Sequence, residues 1–143
     1  MRVIAGSAGG VPLLPPPRTT RPTMDKVRAA VFSSLGDAVP DARVLDLYAG
    51  SGALGIEALS RGAATATFVD SDSSAVATIR RNLAKTKLTG SVQAMDVTRF
   101  LPLYAPPGSF ELIFADPPYT KSDADRDFVA ELLADPALPL ALT

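Results

Sequence analysis

Asp116-Pro117-Pro118-Tyr119 brings together residue types with a definite chemical use. The motif follows an apolar run, Phe110 to Ala115, in which Leu112-Ile113-Phe114-Ala115 predicts a strand buried on both sides. Two prolines directly after a buried strand fix the backbone and remove two N–H donors. Such a backbone suits a site that must accept hydrogen bonds. An amino group on an aromatic ring is a poor nucleophile, because its lone pair is delocalised into the ring. If the Asp116 carboxylate and the Pro117 carbonyl accept its two hydrogens, the nitrogen shifts toward tetrahedral geometry and the lone pair becomes available. Tyr119 can stack on a flipped base, a contact worth about 1–3 kcal/mol. Asp116, Pro117, Pro118 and Tyr119 are the candidate catalytic residues. The plain alternative is a Pro-Pro loop with a surface tyrosine.

A second constellation is Asp46-Leu47-Tyr48-Ala49-Gly50-Ser51-Gly52-Ala53-Leu54-Gly55. It contains Gly-x-Gly-x-x-Gly between a predicted strand and a predicted helix, which alone would suggest a dinucleotide site. Asp46 argues otherwise. A pyrophosphate is anionic, so a carboxylate at the strand end does not help it, whereas a ligand carrying an ammonium or a sulfonium would welcome it. S-adenosylmethionine carries both. Asp46, Ala49, Gly50, Ser51 and Gly52 are therefore candidates for its methionine end; the alternative is a glycine turn with Asp46 as a cap. Asp70 ends the next predicted strand, 18 residues after Gly52, where a carboxylate can accept two hydrogen bonds from a ribose diol. Ser71 adjoins it, and Asp72 with Ser73 predicts a helix cap. Met95-Asp96-Val97 follows a third strand, with Asp96 placed to accept an adenine amino group and Met95 and Val97 to pack on the ring. An Asp after a strand is also an ordinary turn residue.

The elements that must position these groups are legible as an alternation. Strands are predicted at Val44–Tyr48, Thr67–Asp70, Ser91–Ala94 and Phe110–Ala115. Helices are predicted from Leu54 to Arg61 and from Ser73 onward, the latter with Val76, Ile79 and Leu83 on one face. Strand and helix at this spacing mean βαβ units, right-handed crossovers and a parallel sheet. Ligands on such a sheet bind beyond the carboxyl ends of the strands, at the switch point. Before this, Val3-Ile4-Ala5 and Val11-Pro12-Leu13-Leu14 predict a short hairpin around Gly6, Gly9 and Gly10. Pro12 confines its strand to an edge. Thr23 predicts a helix N-cap, with Val27, Ala30, Val31 and Leu35 as the apolar stripe and Arg28 off it.

Composition narrows the chemistry. The 143 residues include no cysteine and no histidine, which leaves carboxylates, hydroxyls, backbone groups or a cofactor for catalysis. No apolar run or N-terminal h-region predicts a membrane span or a secretory signal, so a cytoplasmic protein is expected. Residues 1–36 carry five Arg and Lys against one acid, a net +4. The whole chain is −1, so the remainder is −5. A basic N-terminal end on an acidic body suits an anionic partner such as a nucleic acid.

With these motifs in view the sequence resembles the RsmD-type methyltransferases, which methylate a guanine N2 in bacterial small-subunit rRNA. The resemblance runs through Arg2-Val3-Ile4-Ala5-Gly6, Thr20-Arg21-Pro22-Thr23, Asp25, Val27-Arg28, Phe32, the segment Val44 to Gly55, and Glu57-Ala58-Leu59-Ser60-Arg61-Gly62-Ala63. It implies a Rossmann-like class I methyltransferase, α/β, with a mostly parallel sheet, helices on both faces and an N-terminal β-hairpin arm. It implies an arm over residues 1–22 and a methyltransferase domain over 23–143, with C-terminal strands of the family missing from this chain. It implies S-adenosyl-L-methionine as methyl donor with no metal, and a monomer acting on 16S rRNA or the assembling small subunit. Arg2, Arg18, Arg21, Thr23 and Arg28 are then the expected RNA-facing residues. Besides those missing strands, two features depart from the family: Val11-Pro12-Leu13-Leu14 stands where basic residues are common, and Met24 where a small polar one is. An adenine-N6 methyltransferase would share Asp-Pro-Pro-Tyr but needs a target-recognition domain. A nicotinamide oxidoreductase would leave that motif without a use. An inactive RNA-binding module of the same fold is the non-enzymatic alternative.

Overall fold

The computed structural model describes residues 1–16 and 25–117. Four strands form one parallel sheet: β1 (Arg43–Leu47), β2 (Thr65–Asp70), β3 (Ser91–Ala94) and β4 (Leu112–Ala115), in the order β3-β2-β1-β4. Helices α1 (Asp25–Leu35), α2 (Ala53–Ser60), α3 (Ser73–Thr86) and α4 (Val97–Tyr104) complete the described elements, with a short 3-10 turn at Gly36–Ala38. The chain lays down β1, β2 and β3 in one direction and then returns to place β4 on the other side of β1. The chain direction across the sheet therefore reverses between β1 and β4, and on sheets of this kind ligands bind beyond the carboxyl ends of the strands at such a switch point.

Strand alternation sorts the side chains into two layers. Val44, Ala66 and Phe68 share one core with Phe32, Ile56, Ala58, Ile79 and Leu83, so α1, α2 and α3 meet on that face. Leu45, Leu47 and Val69 point the other way and pack with Val97, Phe100 and Leu101 of α4. Helices thus cover both faces, as the resemblance implied. The helix α4 was not predicted from the sequence; its buried Val97, Phe100 and Leu101 fall at i, i+3 and i+4, but Pro102 interrupts its polar pattern. Leu112, Ile113 and Phe114 are half-buried rather than enclosed on both sides, and among the described residues β4 pairs with β1 alone. An exposed Arg43–Glu111 pair ties the starts of these two strands.

The predicted hairpin is present, with Val3 N–H donating to the Val11 carbonyl, Gly10 N–H to Val3 and Leu13 N–H to Met1. It does not project. Val3, Ala8 and Leu13 are buried in the same core as Phe32 and Val44. The face of α1 differs from the prediction. Arg28 and Phe32 are the buried residues, while Val27 is 49% exposed. No helix among the described residues is long and apolar enough to cross a membrane.

Candidate functional site

Register lines up the strand ends. Leu47 pairs with Val69 and with Ala115, and Asp70 pairs with Ala94. The residues that follow, Tyr48, Asp70, Met95 and Asp116, therefore leave the sheet at about one level, from four neighbouring strands. Tyr48 turns the chain into the glycine loop through a left-handed conformation, φ 54°. This is uncommon for a side chain of that size and costs about 1–3 kcal/mol. The sequence motif contained Tyr48 but nothing in it announced the strain.

Gly52 is the N-cap of α2 and has no side chain to satisfy the helix's first N–H groups. Asp46 supplies that function from the adjacent strand: its carboxylate accepts from Gly55 N–H at 3.0 Å. Gly55 must lack a Cβ, which would lie 2.3 Å from the Phe68 ring. Asp46 itself is 2% exposed. Burial pushes its carboxyl from the ordinary 3.8 up to about 8, the Gly55 hydrogen bond opposes this, and the charges of Asp70 and Asp116 raise it further. The cap reading of Asp46 is thus realised, and its carboxyl has no open face.

Asp70 also braces the loop. One carboxylate oxygen accepts from Gly50 N–H at 2.9 Å and the other from Asp72 N–H at 2.9 Å. An ionised carboxylate has about four acceptor positions, so both oxygens retain capacity for ribose hydroxyls. Ser71 beside it is exposed. The cap of α3 is Asp72, which accepts from Ser74 N–H. Ala49 and Gly50 are half-buried, and Ser51 and Gly52 are buried. Asp96 caps α4, with one oxygen accepting from both Thr98 N–H at 2.9 Å and the Thr98 hydroxyl at 2.7 Å. Met95 is half-buried at the rim. Val97 is 2% exposed and packs with Leu47, Phe100 and Leu101, so its side chain belongs to the core and not to a ring-binding wall. Asp116 is exposed and Pro117 half-buried, directly after β4. Pro118 and Tyr119 lie outside the described residues, as do Arg18, Arg21 and Thr23.

Of the expected RNA-facing residues, Arg2 is exposed. Arg28 is not. Its side chain is fully buried, and its guanidinium donates to Asp25 at 2.8 Å and to the Arg2 carbonyl. It fastens the hairpin to α1, and the expectation of an RNA contact there is corrected by that burial. Two further polar residues escaped the sequence reading. Glu57 accepts from Ile4 N–H at 2.8 Å and Ala5 N–H at 3.1 Å and pairs with Arg61. Asn82 is buried between the hairpin and the glycine loop. A Glu, Ser and Arg at i, i+3 and i+4 within α2's resembling segment was the available signal for the first. For Asn82 the signal was an amide next to Leu83 on the face that Val76, Ile79 and Leu83 mark as buried.

The donor set fits a cationic ligand. Asp46, Asp70 and Asp116 stand close enough to raise Asp46's proton affinity, so a positive charge in the crevice between β1 and β4 would relieve them. The provisionally named rRNA methyltransferase YlbH of Bacillus subtilis (strain 168) is 46% identical over 123 residues, covering 83% of this chain and 67% of that protein. Ribosomal RNA small subunit methyltransferase D of Escherichia coli (strain K12) is 37% identical over 122 residues, covering 85% of this chain and 61% of that protein. The chain thus spans 61–67% of the length of these two relatives. Among solved structures, a hypothetical protein from a Thermus species superposes with a TM-score of 0.80 at 36% identity, covering 96% of this chain and 79% of that one. A family model described as Conserved hypothetical protein 95 matches residues 1–139, and the chain belongs to this family, that of the RsmD-type methyltransferases.

Proposed function

We propose that the protein is an S-adenosylmethionine-dependent methyltransferase acting on the exocyclic N2 of a guanine in bacterial small-subunit rRNA. The observation that carries this reading is the register of β1 and β4. Leu47 opposite Ala115 sets Asp116-Pro117 level with the glycine loop, so an amine acceptor and a cofactor loop flank one crevice. The names of the two relatives support rRNA as the substrate class.

Each group then has a task. The loop Ala49 to Gly52 carries the methionine end, under the field of Asp46. Asp70, fixed by Gly50 and Asp72, receives the ribose hydroxyls. Asp96 receives the adenine amine beside Met95, and Val97 contributes the packed start of α4. When bound, S-adenosylmethionine supplies an electrophilic methyl group. Asp116 and the Pro117 carbonyl accept the two amine hydrogens, freeing the nitrogen lone pair, and Tyr119 stacks on the base. Proximity and alignment supply most of the acceleration. The proton given up by the amine goes to Asp116 or to water. Arg2, with Arg18, Arg21 and Thr23, faces the RNA. We place the protein in the cytoplasm as a monomer.

Transfer of labelled methyl groups to naked small-subunit rRNA and to assembled subunits, followed by mapping of the modified nucleotide, tests this. A single labelled guanine N2 is expected, with loss of at least about 100-fold in rate for Asp116→Ala. Label on adenine N6, or full activity in Asp116→Ala, overturns it.

A further inference from the structure

Asn82 is fully buried on α3, and all of its donor capacity is used on two segments distant in sequence. Its side-chain oxygen accepts from Leu14 N–H at 2.8 Å. Its amide nitrogen donates to the Leu14 carbonyl at 3.0 Å and to the Ser51 carbonyl at 2.9 Å. The amide thus reads both polar atoms of one hairpin residue and, with its remaining hydrogen, one carbonyl of the glycine loop. A primary amide meets that demand for two donors and one acceptor; an aspartate would set a carboxylate against two carbonyls. The loop is consequently held from both sides, through Gly50 N–H by Asp70 and through the Ser51 carbonyl by Asn82. The segment that follows the hairpin also passes close to the loop. A Cβ at Gly50 would lie 3.6 Å from Cβ of Pro16, two residues beyond Leu14.

We propose that Asn82 is a positioning residue that links docking of the N-terminal hairpin to binding at the glycine loop, so that each stabilises the other. The inference rests on the S-adenosylmethionine site of the preceding reading. Coupling through a shared buried side chain is reciprocal: whatever the hairpin contributes to ligand affinity, the ligand returns to hairpin stability. A merely structural role for Asn82 would hold the hairpin and leave the ligand indifferent to it. Ser60 provides the comparison. Its hydroxyl donates to the Ala5 carbonyl and accepts from Ala8 N–H, so it latches the same hairpin without touching the loop.

The test uses S-adenosylhomocysteine as probe, with titration calorimetry on the wild type, Asn82→Ala and Ser60→Ala, and amide hydrogen exchange with and without the probe. In the wild type the probe should slow exchange at Val3 and Leu13, whose N–H groups close the hairpin. In Asn82→Ala that slowing should vanish and affinity should fall about tenfold, against at most about twofold in Ser60→Ala. Unchanged hairpin exchange in the wild type, or equal losses of affinity in the two variants, would overturn the proposal. The wild-type exchange measurement needs no substitution, so it decides even where Asn82→Ala does not fold. A wild type that binds no S-adenosylhomocysteine refutes the methyltransferase reading itself, and the linkage with it.

Discussion

Burial, with the charges of Asp70 and Asp116 nearby, raises the carboxyl of Asp46, so binding of a cationic ligand at the proposed site is expected to release a proton. With its carboxyl pushed up to about 8, the ligand-free site holds Asp46 largely neutral at pH 7. A cationic ligand favours the ionised form and draws the pKa down. Binding of S-adenosylmethionine at pH 7 should therefore release up to one proton. Affinity should rise from pH 6 to about pH 8 and then level. Calorimetry in two buffers of different ionisation heat counts the protons directly. In Asp46→Asn the amide oxygen can still accept from Gly55 N–H, so the loop survives while the release and the pH dependence vanish. A wild type that releases none contradicts the assignment. The same shift acts on folding. The folded value lies above the ordinary 3.8, so Asp46's contribution to stability is fully present below about pH 4 and is lost as pH rises through about 8. Ligand-free Asp46→Asn should accordingly show a flatter melting temperature than the wild type across that window.

Among the elements, the hairpin is where the sequence was least informative about role. Its turn residues were legible, because Gly6, Gly9 and Gly10 punctuate two short apolar runs. Its docking was not, because the side chains that hold it from α2 and α3 come from more than fifty residues away in the chain. Glu57, Ser60 and Asn82 meet backbone groups of residues 4–14, and no local pattern encodes a partner at that separation. Arg28 was misread for a related reason. A cation looks solvent-facing until Asp25 and the Arg2 carbonyl receive it, and α1 then rotates so that Val27 is left outside. By contrast, the buried stripe of α3 and the bounds of β3 followed directly from short-range periodicity. The hairpin's docking can be broken at one atom. Gly6 sits at φ 84°, and a Cβ there would meet the Ser60 carbonyl oxygen at 1.9 Å, a backbone atom that cannot step aside. Gly6→Ala should destabilise by about 2 kcal/mol or more in chemical denaturation. Glu57→Gln, which keeps the shape but removes the charge from two backbone hydrogen bonds and the Arg61 pair, should cost about 1–3 kcal/mol.

At the scale of the molecule, the strand and helix alternation predicted a parallel sheet with its ligand groups at the carboxyl ends of the strands, and the order β3-β2-β1-β4 then puts the reversal at β1, beside Asp46, Asp70 and Asp116. What alternation could not supply is how β4 is held where Asp116 must stand. Besides its pairing with β1, β4 is held from α1 by Phe32. Its ring lies 5.5 Å from that of Phe114 on β4 and 5.1 Å from the Arg61 guanidinium of α2's cap, and Arg61 pairs with Glu57. One path of contacts thus runs Glu57, Arg61, Phe32, Phe114, and a second, through Asp46, Asp70 and Asn82, braces the glycine loop. Substituting Phe32→Leu should loosen the first path and spare the second. Loss of the aromatic pair and of part of the ring volume should lower stability by about 1–3 kcal/mol. Misplacement of Asp116 should slow methyl transfer by about tenfold or more at saturating substrates. Binding of S-adenosylhomocysteine should stay within about twofold of the wild type, because none of the loop's hydrogen bonds involves Phe32. Equal losses in transfer rate and in cofactor affinity would show that the two paths are one, and that β4 and the glycine loop move as a single body.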